Sequence, residues 1–174
     1  DELALAGGAL RVAPALRVDR VGGFSGVSGK LGATVALHGP LALRASAGRT
    51  FRAPSLSELY LEQAHVRPNP SLLSETGVSA DAALVAQGRL GLASLGVFAS
   101  LYDDLVVYVP ASFQDWTPRN LGRAAMRGIE AEAATPRLGS LGASGQLAYT
   151  LLDSETLRGA PAEVGREVPH RPRH

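Results

Sequence analysis

The sequence predicts an all-β chain that folds as part of an antiparallel transmembrane β-barrel of about seven to eight strands. Two observations predict this fold class. Apolar and polar residues alternate over segments of about nine residues or more, as in a tilted strand that crosses a bilayer. The connections between these segments are short and long in turn. Short periplasmic turns at one end and long extracellular loops at the other are typical of barrels in an outer membrane.

The predicted strands are separated by segments rich in glycine, proline and polar residues. In chain order the strands are Ala9–Asp19, Leu31–His38, Leu41–Thr50, Glu75–Gln87, Leu90–Tyr108, Asn120–Ala134 and Leu141–Asp153, with an eighth that starts near His170. The predicted tight turns are Gly39-Pro40, Gly88-Arg89 and Thr135-Pro136-Arg137. The predicted long loops are Arg20–Lys30, Phe51–Ser74, Val109–Arg119 and Ser154–Pro169.

Each strand has one apolar face and one face with polar or charged side chains. The apolar faces include, in chain order, Leu10, Val12, Leu16, Val18, Leu41, Leu43, Ala45, Ala47, Val78, Ala80, Ala82, Leu84, Ala93, Leu95, Val97, Ala99, Leu101, Ile129, Ala131, Ala133, Leu147, Tyr149 and Leu151. The opposite faces carry Arg11, Arg44, Asp81, Glu130 and Glu132, with Phe98 as an apolar exception. Because an unpaired buried charge is costly, the charged face is expected to line a water-filled or plugged lumen.

A soluble sandwich or barrel is the alternative, since its strands alternate as well. Two features disfavour it: the strands exceed the usual length of about five or six residues, and charge recurs on the polar face of several strands. Aromatic residues are scarce, at 5% of the chain, although membrane barrels carry aromatic girdles. The expected contributors to such a girdle are Phe98, Tyr102, Tyr108 and Tyr149.

Composition excludes several classes of function. The net charge of +1 gives no basic surface for nucleic acid, and the absence of cysteine excludes disulfides and thiolate metal sites. No apolar run reaches the roughly 20 residues of a spanning helix. The start Asp1-Glu2-Leu3 lacks the features of a secretion signal, and the end at Pro169–His174 supplies no closing strand. The chain is therefore expected to be a fragment of a longer precursor.

Five motifs in order resemble those of the TonB-dependent outer-membrane receptors. They cover about Leu41 to His174, and Ser74 and Asp81 depart from the family pattern, which has proline and glutamate there. The motifs are Gly48 with Phe51-Arg52-Ala53-Pro54; Asn69-Pro70-Ser71-Leu72 with Glu75; Phe98 with Tyr102–Val106; Asn120-x-Gly122 through Gly128-Ile129-Glu130; and Tyr149–Asp153 with Arg171–His174.

The resemblance implies a specific architecture and activity. Members are 22-stranded barrels with a plugged lumen, and they import ferric siderophores, cobalamin or similar bulky nutrients with energy delivered by the TonB complex. It implies the cell outer membrane of a Gram-negative bacterium, with lipid as a further partner, no nucleic acid, no enzyme activity and no cofactor. Residues 1–174 are then expected to be a partial barrel domain without the N-terminal plug domain and the C-terminal strands.

The motif residues are expected to have structural roles. Pro54 ends a strand ladder because it lacks an N–H donor, and Phe51 belongs to the same motif. Arg52 at the strand end is suited to shape the loop or, like Arg49, to meet lipid phosphates. The other motif residues are Asn120, Gly128 and Glu130, of which Gly128 removes side-chain bulk beside Glu130.

The residues expected to contact a ligand lie in the predicted loops Phe51–Ser74 and Val109–Arg119. Aromatic side chains offer large contact areas and arginine binds anions. The predicted ligand-binding residues are Arg52, Glu58, Tyr60, His65, Gln114 and Trp116. No metal site is expected, because His170 and His174 have no further histidine or cysteine near them in sequence.

Other functions remain as alternatives. The first is a passive outer-membrane channel without TonB coupling, which has no plug domain. The second is a soluble all-β enzyme or lectin-like module, which must be soluble without detergent. Glu130 and Glu132 share a face as paired catalytic carboxylates do, but lumen-facing acids account for them more simply.

Overall fold

The chain forms one antiparallel sheet in which every strand pairs with its neighbours in sequence. The structure is a computed structural model and describes residues 2–136, 142–169, 171 and 173. The sheet order is β1 to β8 without crossover. The elements are β1 (Leu3–Leu5), a 3₁₀ turn (Ala6–Gly8), β2 (Leu10–Val21), β3 (Phe24–Ala36), β4 (Leu41–Arg52), α1 (Leu56–Tyr60), β5 (Glu75–Gly88), β6 (Gly91–Pro110), β7 (Trp116–Ala134) and β8 (Gln146–Arg158). This up-and-down topology confirms the predicted fold class, and the sheet is open.

One face of the sheet is apolar through its middle. Val35, Leu43, Leu84 and Leu95 lie side by side on β3, β4, β5 and β6. Each of these side chains keeps between 37% and 60% of its surface exposed. A row of large apolar side chains that is left this open is suited to contact hydrocarbon rather than water. We call this surface the outer face and the opposite surface the inner face.

The strand boundaries differ from the prediction most clearly at β3. The predicted loop Arg20–Lys30 is wrong, because β2 and β3 continue through it and meet at Gly22-Gly23. The small residues that indicated a loop belong to β3 instead. A side chain on Gly26 would collide with the ring of Phe51 from β4, so the strand needs glycine at that position.

Three further boundaries also shift. The predicted loop Val109–Arg119 is too long, because cross-strand pairing of β6 with β7 continues to Pro110 and Trp116. β8 begins at Gln146 and continues to Arg158, so the turn predicted after β7 is too short. Arg137 and Leu141 of those predictions lie outside the described residues, as do His170 and His174. Connection lengths therefore alternate less strictly than the sequence indicated.

Aromatic rings cover glycines on neighbouring strands of the sheet. Phe98 on β6 lies beside Gly128 on β7, and Tyr102 lies beside Gly77 on β5. A Cβ on Gly128 would approach Phe98 Cζ to 2.6 Å, and one on Gly77 would approach Tyr102 Cδ1 to 2.6 Å. The prediction that Phe98 and Tyr102 belong to a lipid-facing girdle is therefore wrong. Their rings fill the space that the glycines leave on the inner face.

A small hydrophobic core lies at the loop end of β6, β7 and β8. It consists of Leu105, Val107, Leu121, Ala124, Met126 and Val168. Val168 belongs to the segment after β8, and its N–H donates to Ser154 Oγ at 3.3 Å. The same segment donates and accepts backbone hydrogen bonds at Thr156. This core holds the loop ends of β6, β7 and β8 together and thereby supports the loops.

Candidate ligand-binding loops

The long loop at residues 53–74 is folded rather than extended. Ser55 caps α1 in both directions, because its Oγ accepts from the Glu58 N–H at 3.2 Å and its N–H donates to Glu58 Oε2 at 2.7 Å. This reciprocal pair is a capping box, which fixes the first turn of even a short helix. Leu59 and Leu72 are buried beneath the loop, each at 4% exposure or less.

Arg52 ties the loop to the sheet. Its Nε and Nη2 donate to the two oxygens of Glu75 at 2.6 and 2.9 Å, and its Nη1 donates to Glu58 Oε2 at 3.0 Å. Planar, two-pronged pairing of this kind fixes geometry as well as charge. Glu75 Oε1 also accepts from the Val106 N–H at 2.5 Å. The Arg52 guanidinium and the Glu75 carboxylate thereby connect four elements: the end of β4, helix α1, the start of β5 and strand β6.

The Glu58 carboxyl is buried at 7% exposure, yet it remains readily ionised. Burial on its own would raise the pKa of this carboxyl. The Ser55 N–H and the Arg52 guanidinium together outweigh burial, so the pKa lies below its ordinary value. Glu58 is therefore a charged structural member of the loop at neutral pH.

Where the long loop returns to the sheet, the side-chain amides of two asparagines make the hydrogen bonds that strand pairing does not supply. Asn120 Oδ1 accepts from the Leu73 N–H at 2.9 Å, while its Nδ2 donates to the carbonyls of Leu73 and Asp104 at 3.1 and 2.7 Å. Asn69 Nδ2 donates to the Pro118 carbonyl at 3.0 Å. Asp104 has a left-handed backbone with a φ of 56°, which aspartate tolerates better than most residues.

The connection from β6 to β7 at residues 111–115 is a tight hairpin beside the long loop. Arg67 Nε donates to Asp115 Oδ2 at 2.8 Å, and this bond, followed by the one from Ser112, lowers the pKa of the Asp115 carboxyl. The backbones of His65 and Trp116 are also joined, because the Trp116 N–H donates to the His65 carbonyl at 2.8 Å. The two loops form one surface.

The six predicted ligand-binding residues divide into two groups. Arg52 and Glu58 lie in the ion-pair network described above. Tyr60 is 66% exposed and Trp116 is 38% exposed, and His65 and Gln114 are exposed as well. Two exposed side chains of these loops that the sequence did not indicate are Leu56, at 72% exposure, and Phe113, at 101% exposure.

A local pattern in the sequence indicates the position of the hairpin. Ser112 Oγ accepts from the Asp115 N–H at 3.1 Å, which is the local side-chain bond that a Ser-x-x-Asp turn makes. This turn accounts for the short connection at residues 111–115, with Phe113 at its centre. The pairing of Arg67 with Asp115 spans 48 residues and left no local signal.

The inner face below the loops carries charge in several rows. Ser46 Oγ donates to Asp81 across β4 and β5, and Gln146 Nε2 donates to Glu132 Oε1 at 3.1 Å. Glu130 pairs across with Gly96, and further along the same row lies Arg44. Among the residues described, no group of three or more histidine, cysteine, aspartate or glutamate side chains has the arrangement of a metal site. The described part of the inner face is therefore polar and hydrogen-bonded.

The described residues form an open antiparallel sheet with an apolar outer face, a charged inner face and folded loops at one end. This combination is typical of a sheet that forms part of the wall of a membrane β-barrel. The chain belongs to the family described as "TonB dependent receptor-like, beta-barrel", whose model matches residues 1–174. Within the described residues, none of the helices is long and apolar enough to cross a membrane.

Individual relatives agree with this assignment. The chain is 32% identical over 87 residues to the hemoglobin-haptoglobin-binding protein A of Haemophilus influenzae, which covers 48% of this chain and 8% of that protein. The fold matches the siderophore receptor PirA of Pseudomonas aeruginosa with a TM-score of 0.67 at 22% identity, covering 84% of this chain and 29% of PirA.

Two other solved structures share the fold. The copper transporter OprC matches with a TM-score of 0.69 at 16% identity, over 94% of this chain and 28% of OprC. A variant of the ferric enterobactin receptor PfeA of Pseudomonas aeruginosa matches with a TM-score of 0.60 at 21% identity, over 86% of this chain and 25% of PfeA. The chain thus spans less than a third of each protein.

Proposed function

We propose that the protein containing this chain is an outer-membrane receptor that binds a bulky, metal-bearing nutrient and imports it with energy from the TonB complex. Ferric siderophores and cobalamin are the ligand classes that fit this proposal. Membership of the receptor family supports it. The names of the relatives also support it, since they refer to siderophores, copper and hemoglobin-haptoglobin.

The observation that carries the proposal is the joined surface of the two loops. Arg52, Glu75 and Asn120 hold the long loop rigidly on the sheet, and His65 and Trp116 connect it to the hairpin. A rigid surface loses little conformational entropy when a ligand binds. Tyr60, Phe113 and Trp116 present apolar area there, and His65 and Gln114 add hydrogen-bonding groups.

The inner face supports the coupling part of the proposal. A plug domain in the lumen would contact side chains that can pair with it, and Asp81, Glu130 and Glu132 supply acids along neighbouring strands. We propose that residues 1–174 are one part of the barrel domain and that the plug connects the barrel to TonB. A passive channel is the second candidate, and for it the loops would carry no ligand specificity.

Replacing Tyr60 and Trp116 with alanine in the full receptor tests the proposal. We expect nutrient affinity to fall by about tenfold or more, because truncating buried aromatic contacts costs about 1–2 kcal/mol each. Leu90→Ala is the matched control, since Leu90 is 93% exposed at the opposite end of the sheet. Unchanged affinity in the double variant would contradict the assignment of these loops. Uptake that persists without TonB would favour the passive channel.

A further inference from the structure

The two folded loops and the strand ends beside them carry an excess of acids. Together these segments, residues 52–75 and 111–115, form what we call the loop surface. It contains two arginines and four acids, which gives a net charge of −2 with His65 neutral. One of the acids, Glu62, is exposed, and in the described part of the chain no cation lies within ion-pair distance of it. A surface with this balance of charge repels anions.

Both arginines of the loop surface already have carboxylate partners. Arg52 donates to Glu58 and to Glu75. Arg67 donates to Asp115 at 2.8 Å, although its side chain is 61% exposed. Because each guanidinium is neutralised by a carboxylate of the protein, neither one is available to hold an anionic group of a ligand.

His65 is the remaining side chain of the loop surface that can gain a positive charge. It lies within electrostatic range of Asp115, whose pKa is lowered chiefly by the bond from Arg67 and to a smaller extent by His65. The Asp115 carboxylate therefore faces both basic side chains. Protonation of His65 would add a charge that this acid already opposes.

Cations without a carboxylate partner occur elsewhere in the described part of the chain. Arg20 and Arg49 lie on the outer face, Lys30 and Arg44 lie on the inner face of β3 and β4, and Arg166 lies in the segment after β8. Among the described residues, no carboxylate is within ion-pair distance of these five side chains. All five lie outside the loop surface, so they leave its charge unchanged.

The loop surface exposes large apolar side chains instead. Phe113 is 101% exposed, Leu56 is 72% exposed and Tyr60 is 66% exposed. Exposed aromatic and apolar side chains that stand on a rigid base are typical of binding surfaces. A ligand with apolar groups can cover them without removing a charge from water, whereas an anion would be desolvated beside acids.

We propose that the loop surface selects a metal complex that has apolar groups and no net negative charge, and that it disfavours anionic complexes of similar size. The rings supply contact area, and the acids supply the discrimination, because like charges across an interface are costly. The inference rests on the proposed function and narrows its ligand to one class of charge.

The test compares the binding of three probes to the full receptor in detergent. A ferric trihydroxamate and cyanocobalamin are the uncharged probes, and a ferric tris(catecholate) is the anionic probe. Dissociation constants are measured by isothermal titration calorimetry at low and at high salt. At low salt we expect the tighter of the uncharged probes to bind at least about tenfold more tightly than the anionic probe.

Asp115→Asn keeps a hydrogen-bond acceptor for Arg67 and removes the negative charge. The readout is the dissociation constant of the anionic probe divided by that of the tighter uncharged probe, because a loosened loop weakens the binding of both. We expect this ratio to fall about threefold or more at low salt, which is the effect of roughly one exposed charge, and to recover at high salt. Adding Arg67→Gln to Asp115→Asn should restore the parental ratio.

Asp103→Asn is the matched control. It makes the same substitution in an ion pair with Arg123, which lies on the outer face rather than on the loop surface. An equal fall of the ratio in this control, an unchanged ratio in Asp115→Asn, or tighter binding of the anionic probe by the parent would overturn the selection by charge and leave the proposed function standing. A receptor that binds none of the three probes would contradict the proposed function itself.

Discussion

Glu58 combines burial with full ionisation, and this makes the long loop sensitive to acid. The folded pKa of its carboxyl lies below the ordinary value of 4.5. A group with a depressed folded pKa stabilises the fold above its unfolded pKa, and that contribution is lost as the pH falls through the folded value. The loop is therefore expected to be stable at neutral pH and to loosen only below about pH 4.5.

The prediction concerns proteolysis of residues 53–74 in the full receptor as the pH is lowered. Cleavage by an acid-active protease should rise below the ordinary glutamate pKa, because Glu58 then loses its bonds with Arg52 and Ser55. Glu58→Gln should be cleaved more readily at neutral pH and should show a weaker pH dependence. The same pH midpoint and amplitude in Glu58→Gln would show that another carboxyl controls the loop.

At the level of strands, the sequence predicted the alternation well and the strand ends poorly. The alternating faces of β4, β5 and β6 are as expected, because period-two burial is local information. The extension of β3 to Phe24 was missed because it depends on the contact of Gly26 with the ring of Phe51, which lies far along the chain.

In the loops, exposure of Tyr60 and Trp116 was predictable from composition, whereas the bond between Arg67 and Asp115 depends on tertiary folding.

The pairing of an aromatic ring with a glycine gives a second prediction. Gly128→Ala would place a methyl group against Phe98 and inside contact distance of the Leu151 carbonyl oxygen. Since the backbone cannot yield easily, we expect a loss of about 1–3 kcal/mol in the free energy of unfolding. Urea unfolding of the receptor in lipid vesicles measures this loss.

Gly32→Ala is the control for that substitution. A Cβ on Gly32 would meet its nearest atom, the Ala13 carbonyl oxygen, at 3.8 Å, which is ordinary contact. Gly128 and Gly32 both lie in strand interiors, so each substitution by alanine reduces backbone freedom equally. The two variants therefore differ only in how closely neighbouring atoms approach the new methyl group. Equal stability of the two variants would refute the importance of the ring contact.

For the whole molecule, the open sheet and the apolar outer face together determine solubility. The edge strands β1 and β8 do not pair with each other. Leu147 on β8 is 72% exposed and Leu3 on β1 is 55% exposed. Unpaired edges with exposed apolar side chains favour association between chains.

We therefore expect residues 1–174, refolded alone in plain buffer, to elute as aggregates in size-exclusion chromatography. A detergent that covers the outer face should reduce aggregation, and the full receptor in the same detergent serves as the reference. A compact monomer in buffer without detergent would mean that the leucine rows pack internally. That result would remove the basis for the membrane assignment.

The heights of the connections differ along the loop end of the sheet. β2 and β3 meet in two glycines, Gly22-Gly23, while β4 and β5 are separated by the folded residues 53–74. The loop end of the sheet is thus low beside β2 and β3 and tall beside β4 and β5. In the receptor that we propose, the low side would leave more room for a large cargo than the tall side.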